Sequence, residues 1–407
     1  HGQGLLQFAG GAHHAHALAA AAGRRLQEHR VADLVGFLAH LTEIIGSGLH
    51  ALVLSGRAPD LVAVYPPHNV PDAALRRHLD SCLGCRRCER VCPSQVPYGR
   101  LIDVGRTRLP GGPRRRLARL LQRPSWQRSA VALGRSLPLA MSRPFERLHR
   151  LHQLAHALPA GDRPPAADVY GSTGGSARGC VAVFAGCTGA ALQPGALTAT
   201  CRLIRRSGFD VVFPAVTTCC GALAAHAGDA EGAASAAART RAVFDDGLDA
   251  VVSLVSGCGI HLDAYDPPLR QGHQDVCRFL VEQGGFVSAD FAPLHARVAL
   301  HVPCSVENVY RGAHWARALL QLVPGIELSD VGEPGQCCGA AGDHMLRNPE
   351  RAGQLRRPLL ETLAAGSADF LVTSNVGCAL HLAVGLGGQG NAIEVLHPIE
   401  LLARQLR

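Results

Sequence analysis

From residue 180 onward the chain alternates short apolar runs with longer segments in which apolar and polar residues are mixed. The runs "CVAVFAG" (180–186), "FDVVFP" (209–214) and "DAVVSLVS" (249–256) are rich in β-branched residues and bounded by Gly, Pro or Cys. That is the pattern of short buried strands. Between them, 192–207 and 231–246 read as helices. The second half restates the scheme with "RVALHVP" (297–303), "IELSD" (326–330) and "DFLVTSN" (369–375), with helices over 313–322 and 349–364. Strand–helix alternation predicts open α/β sheets with parallel strands. The expected fold is thus α/β, a duplicated domain of two pseudo-symmetric open units over 177–290 and 291–407.

The first 180 residues read differently. Residues 1–75 are weakly patterned, helical and free of cysteine. A short helix, "DAALRRHLD", leads into a cysteine run within the segment 76–110. Residues 111–176 form an Arg- and Pro-rich connector, and the Gly/Ser stretch "GSTGGSARG" (171–179) marks a boundary before the α/β units. "GLGGQG" (385–390) matches the dinucleotide fingerprint by letter but follows a helical run rather than a strand, so it is read as a turn.

The cysteines carry the chemistry. Cys82, Cys85, Cys88 and Cys92 spell C-x2-C-x2-C-x3-C-P, the bacterial ferredoxin run that holds an iron–sulfur cubane. Such runs come in pairs, and the fourth cysteine of each serves the other's cluster. Here nothing before Cys82 supplies the second run. One 4Fe-4S cluster is therefore expected, with a second ferredoxin-type cluster in doubt. Cys92 either turns inward or leaves three cysteines on the cluster.

Two further sets repeat in register. The first is Cys187 ("AGCTG"), Cys219 and Cys220 ("TTCCGAL") and Cys258 ("SGCGIH"). The second is Cys304 ("VPCSV"), Cys337 and Cys338 ("GQCCGAA") and Cys378 ("VGCALH"), displaced by 117, 118 and 120 positions. Core cysteines have no reason to repeat at a near-constant offset, so this is an internal duplication of a ligand set. Each member follows an expected strand, and ligands gather at the carboxyl ends of strands in open α/β sheets. Thiolates suit iron and zinc, so each set is a candidate metal or cluster site. His261 and His381 lie three residues after the last cysteine of their sets and are further candidate ligands. Cys180, Cys201 and Cys277 have no counterpart and read as small apolar residues.

Composition narrows the class. A chain of 407 residues, 47% apolar and 18% charged, is globular and needs no disulfide staples. Its 15 grouped cysteines therefore point to metal or redox chemistry in a reducing compartment. The net charge of +8, its basic residues all arginine, concentrates over 100–150, around "TRLPGGPRRRLARLLQRPSWQRSA", where only Trp126 interleaves. That favours a solvated stretch or a docking face for an acidic partner over a nucleic-acid reading. The longest apolar stretch, 31–56, carries Asp33, His40, Glu43 and His50, which argues against a membrane span and for a cytoplasmic protein.

The segment "LRRHLDSCLGCRRCERVCPSQVPYGRLIDVGR", both "CCG" repeats and the ending "IEVLHPIELLARQL" resemble the glycolate oxidase (glycolate dehydrogenase) iron–sulfur subunit family over roughly 76–407. The CCG repeat itself is shared with heterodisulfide reductases and lactate-utilisation proteins. The resemblance implies a small α-helical ferredoxin-like domain ahead of the α/β units, with Cys82, Cys85, Cys88 and Cys92 as cluster ligands. It also implies an electron-transfer subunit. A flavoprotein (FAD) subunit would oxidise a 2-hydroxy acid and carry the active site, and this chain would pass electrons to a quinone-type acceptor. Peripheral membrane association would come through the complex. Relatives have a first cysteine run upstream, so residues 1–75 are expected to be a diverged domain or the product of a damaged or misread reading frame. Both α/β units end C-x-x-H rather than the C-x-x-C of heterodisulfide reductases. That weakens a thiol/disulfide-reductase reading, while structural zinc or a scaffold role stays open.

Overall fold

The structure, a computed structural model, describes residues 72–94, 96–109, 112–138, 145–158, 164–244, 247–390 and 393–407. The expectations for residues 1–75 lie outside these apart from 72–75. The described residues fall into two compact units, 72–82 with 91–109, and 83–90 with 112–407.

In the first unit, helices Asp72–Ser81 and Tyr98–Arg108 flank the cysteine run. Gly105 lets them close up: a Cβ there would stand 3.3 Å from the Leu79 side chain. Arg106 is only 4% exposed, and its guanidinium donates to the carbonyl oxygens of Leu79 (2.7 Å) and Cys82 (2.8 Å). Those carbonyls at the end of the helix have no partner within it, so the buried arginine takes the place of a C-cap.

The second unit is built on two sheets. The first has strands β1 (Asp168–Tyr170), β2 (Cys180–Phe184), β3 (Asp210–Phe213), β4 (Ala250–Ser253) and β5 (His273–Asp275), in the order β1-β3-β2-β4-β5. The second has β6 (Ala296–Leu300), β7 (Ile326–Asp330), β8 (Phe370–Val372) and β9 (Glu394–Leu396), in the order β7-β6-β8-β9. Without β1, the two orders are the same order written twice. Every pairing is parallel except the β1–β3 edge, where Val169 faces Val212. Central β2 and β4 are almost wholly buried, as parallel strands covered on both faces must be. One apolar cluster runs from Val181 and Val252 through Ile204 to Leu371, Leu382 and Ile399, so the repeats share a core.

The described residues of the Arg- and Pro-rich stretch form the helices Pro113–Leu121, Pro124–Ser136 and Glu146–His156. Pro113 and Pro124 sit at the start of theirs, where the missing N–H costs nothing, so they open helices instead of breaking them. Arg119 reaches Asp229 at 2.8 Å. "GLGGQG" corrects a reading: helix Val376–Gly388 runs through it, and only Gln389 and Gly390 leave the helix. Gly385 is there for packing, because a Cβ would meet Leu360 Cδ1 at 2.7 Å. The "HPIELLA" tail is a helix start. His397 caps helix Pro398–Gln405 by accepting from Ile399 N–H, and Glu400 accepts from His397 N–H. Nε2 of His397 donates to Leu254 O at 3.1 Å, tying the last helix to the first sheet. Among the described residues no helix is long and apolar enough to cross a membrane.

Candidate metal centres

All eight cysteines of the two sets lie beyond the carboxyl ends of strands. Cys187 opens the helix after β2, Cys219 and Cys220 sit in the loop after β3, and Cys258 lies in helix Ser256–Asp263 after β4. Cys304 follows β6, Cys337 and Cys338 sit in the loop after β7, and Cys378 lies in the helix after β8. Because β2 is beside β4 and β6 beside β8, the first and last cysteine of each set come from neighbouring strands. The flanking strand delivers the pair.

The sulfurs of each set interact in succession, with one close sulfur–sulfur pair in each. In the first, Cys187 Sγ lies 3.7 Å from Cys219 Sγ, and hydrogen bonds continue from Cys219 to Cys220 and from Cys220 to Cys258. In the second, Cys304 bonds Cys337, Cys337 bonds Cys338, and Cys338 Sγ lies 3.0 Å from Cys378 Sγ. All of these cysteines are free thiols. In both loops the pair is turned by a left-handed glycine, Gly221 (φ +88) and Gly339 (φ +92), whose N–H points at the first sulfur of the pair at 3.4 Å. A Cβ on Gly339 would stand 2.7 Å from Ala352 O, and one on Gly221 3.0 Å from Ala233 O. The letters "CCG" therefore encode a conformation as well as two ligands.

The sets differ in charge. Its bonds with Cys304 and Cys338 and the Gly339 N–H hold Cys337 below the ordinary thiol range against the opposing effect of burial. Cys304 is pushed up by its bond to Cys337 and by burial, and Cys338 by its bonds with Cys337 and Cys378 and by burial. In the first set Cys219 gains from the Cys187 bond, but its bond to Cys220 and its burial push it up to about 12. Cys187 is also raised, by its bond to Cys219 and by burial. A half-buried guanidinium lies near the second set. Arg356 interacts electrostatically with Cys338, and its Nε is buried without a partner.

The histidines nominated by C-x-x-H are placed unequally. His381 is buried, with Nε2 at 3.1 Å from Ala352 O and Nδ1 at 3.5 Å from Arg356, whose Nη1 also donates to His381 O at 2.6 Å. Both ring nitrogens thus have protein partners, and burial lowers the ring's pKa to about 4. His261 stacks edge-on to Tyr265, 5.8 Å between centroids. Sequence reasoning missed His301, His344, Arg356 and Asn308. His344 had a signal, since it stands 118 positions after His226, the offset of the cysteine pairs. Arg356 has Ala238 at the equivalent place and gave none.

Of the ferredoxin run, Cys85 and Cys88 belong to the second unit and Cys82 and Cys92 to the first. The Cys85 loop is fastened to the second repeat. Asn308 Nδ2 donates to Cys85 O (2.8 Å) and Gly335 O (3.1 Å), Arg90 pairs with Glu307 at 2.8 Å, and Arg87 reaches Glu333 at 3.4 Å. The Cys85 thiol acts electrostatically on Cys304.

As they stand, no three described His, Cys, Asp or Glu side chains surround a single ion. Four sulfurs in a row, an N–H donor in the loop and orphaned buried polar atoms (Thr218 Oγ1, His301 Nε2, His344 Nε2) nevertheless fit a group that takes several thiolate ligands.

The Cysteine-rich domain family, CCG, matches residues 181–263 and 298–383, one match per sheet. The glycolate oxidase iron-sulfur subunit of Escherichia coli (strain K12) is 29% identical over 362 residues, 81% of this chain and 83% of that protein. The probable glycolate oxidase iron-sulfur subunit of Bacillus subtilis (strain 168) is 28% identical over 388 residues, 85% and 86% of the two chains. Lactate utilization protein A of Shouchella clausii (strain KSM-K16) is 26% identical over 234 residues, 54% of this chain and 98% of that protein. The chain thus carries two matches to the cysteine-rich CCG domain in register, inside a similarity to glycolate oxidase iron–sulfur subunits that spans most of both chains.

Proposed function

We propose that the chain is the iron–sulfur electron-transfer subunit of a flavin-linked 2-hydroxy-acid dehydrogenase acting on glycolate or a close analogue. The observation that carries this is the pair of in-register four-sulfur rows, joined in sequence to a ferredoxin run. Clusters bound at such sites supply one-electron acceptors and donors. Cys82, Cys85, Cys88 and Cys92 hold a 4Fe-4S cluster by their spacing, flanked by the helices Asp72–Ser81 and Tyr98–Arg108 as a small ferredoxin-like domain over 76–110. Cys187, Cys219, Cys220 and Cys258 hold one further group, and Cys304, Cys337, Cys338 and Cys378 another, in domains spanning 177–290 and 291–407. A succession of interacting sulfurs suits a cluster with several metals better than one tetrahedral zinc, which needs its ligands converged on a point.

The chain's own residues set the order of transfer. Asn308, Glu307 and Glu333 keep the Cys85 loop against the second repeat, so electrons pass between the ferredoxin run and the second set. Arg356 offsets the charge of thiolates there. A separate FAD subunit performs the oxidation of the hydroxy acid, and a quinone-type acceptor receives the electrons. The chain is expressed with its flavoprotein partner, mixed anaerobically with glycolate, and followed by electron paramagnetic resonance (EPR). Substrate-dependent reduction of its centres is expected. Centres that stay oxidised while the flavin is reduced would refute the assignment.

A further inference from the structure

We propose that His344 Nε2 is a ligand to iron in the second cysteine set, making that set a mixed nitrogen–sulfur site while the first is all sulfur. The inference rests on the reading that the second set holds an iron cluster. His344 is 2% exposed and follows the Cys337–Cys338–Gly339 loop directly. Its Nδ1 lies 3.1 Å from the carbonyl oxygen of Gly339, the turning residue of that loop. A carbonyl only accepts, so Nδ1 carries the hydrogen and Nε2 is left with its lone pair. That Nε2 is buried and has no hydrogen-bond partner. A buried imidazole with one nitrogen donating to a backbone carbonyl and the other free is the arrangement that orients histidine for a metal. Cys337 interacts electrostatically with the same ring.

The other imidazoles near Cys337 are less suited. His381 spends Nε2 on Ala352 O and Nδ1 on Arg356, so a bond to metal would cost it an existing partner. His301 also has an orphaned Nε2, but its Nδ1 faces the Thr373 hydroxyl at 2.9 Å, which can donate or accept and does not fix the tautomer. In the first repeat the position of His301 is Phe184, and His226, the counterpart of His344, is only half-buried. The asymmetry places the nitrogen ligand on the side to which the Cys85 loop is fastened.

The test is pulsed EPR of the anaerobically purified, dithionite-reduced full chain grown with 15N-histidine. A 15N coupling of the size of a directly bonded imidazole is expected. In His344→Cys, which keeps a metal-binding atom at the position, the iron should be retained and the coupling lost. In His381→Gln the coupling should persist. An iron-loaded wild type without any 15N-histidine coupling, or a coupling that survives His344→Cys, overturns this inference and leaves the cluster reading intact. A protein that binds no iron overturns both.

Discussion

At the scale of single residues, the centre of each site is a glycine and a hydrogen-bond pattern. Gly339 needs a positive φ that other residues adopt only at a cost, and a Cβ would collide with a backbone oxygen that cannot move aside. Gly339→Ala should therefore destabilise the protein by about 1–3 kcal/mol and lower metal content at the second set. Thermal unfolding and metal analysis of the variant check this, and wild-type values for both would contradict it. His397 is a second residue with a measurable signature. Burial holds it neutral, at about 4 against an ordinary 6.5. The unfolded chain thus binds a proton between those values that the folded chain does not. This contribution is complete above about pH 6.5 and is lost as the pH falls toward 4, roughly 3 kcal/mol in all. His301 and His381 are lowered by burial too and act in the same direction. Denaturant unfolding at pH 7.5 and pH 5 should show the loss, and His397→Gln should show less of it. A pH-independent midpoint would contradict the account.

At the scale of elements, the strands that deliver ligands were legible and those that only complete the sheets were not. β2, β3 and β4 announce themselves as β-branched runs bounded by Gly, Pro or Cys, and β6, β7 and β8 as the same scheme restated in the second half. β1 ("DVY"), β5 ("HQD") and β9 ("EVL") are three residues each and polar or mixed, so no periodicity has room to develop. Likewise, the cysteines repeat in register and could be found by offset, whereas Arg356 and Asn308 act through contacts distant in sequence. Proximity in the sequence favoured the C-x-x-H histidines, but in the fold the orphaned nitrogens belong to His301 and His344. The fastening of the Cys85 loop is another property of elements. Asn308 sits on the one-turn element Val306–Tyr310 just after Cys304 and holds Cys85 O and Gly335 O at once. Asn308→Ala removes both bonds, each worth about 1 kcal/mol. It should speed the chelator-induced loss of iron from the ferredoxin run while the second sheet stays folded by circular dichroism. Iron lost at the wild-type rate would show that the loop is held by other means.

At the scale of the whole molecule, the second unit is one fold used twice, with the copies sharing a core and presenting the same four-sulfur row. Duplication explains why the sites match in geometry, and divergence explains why they differ in charge. The second row has Cys337 held low, the half-buried Arg356 and the unpartnered nitrogens of His301 and His344, where the first has Cys219 raised and Ala238 at the place of Arg356. Such a pair suits two centres of different potential in series. The most direct test of the central claim is the content of the anaerobically purified protein. Iron and acid-labile sulfide in similar amounts, several of each per chain, with an EPR signal on reduction, are what the account predicts. A colourless protein with stoichiometric zinc, no sulfide and no signal would contradict it.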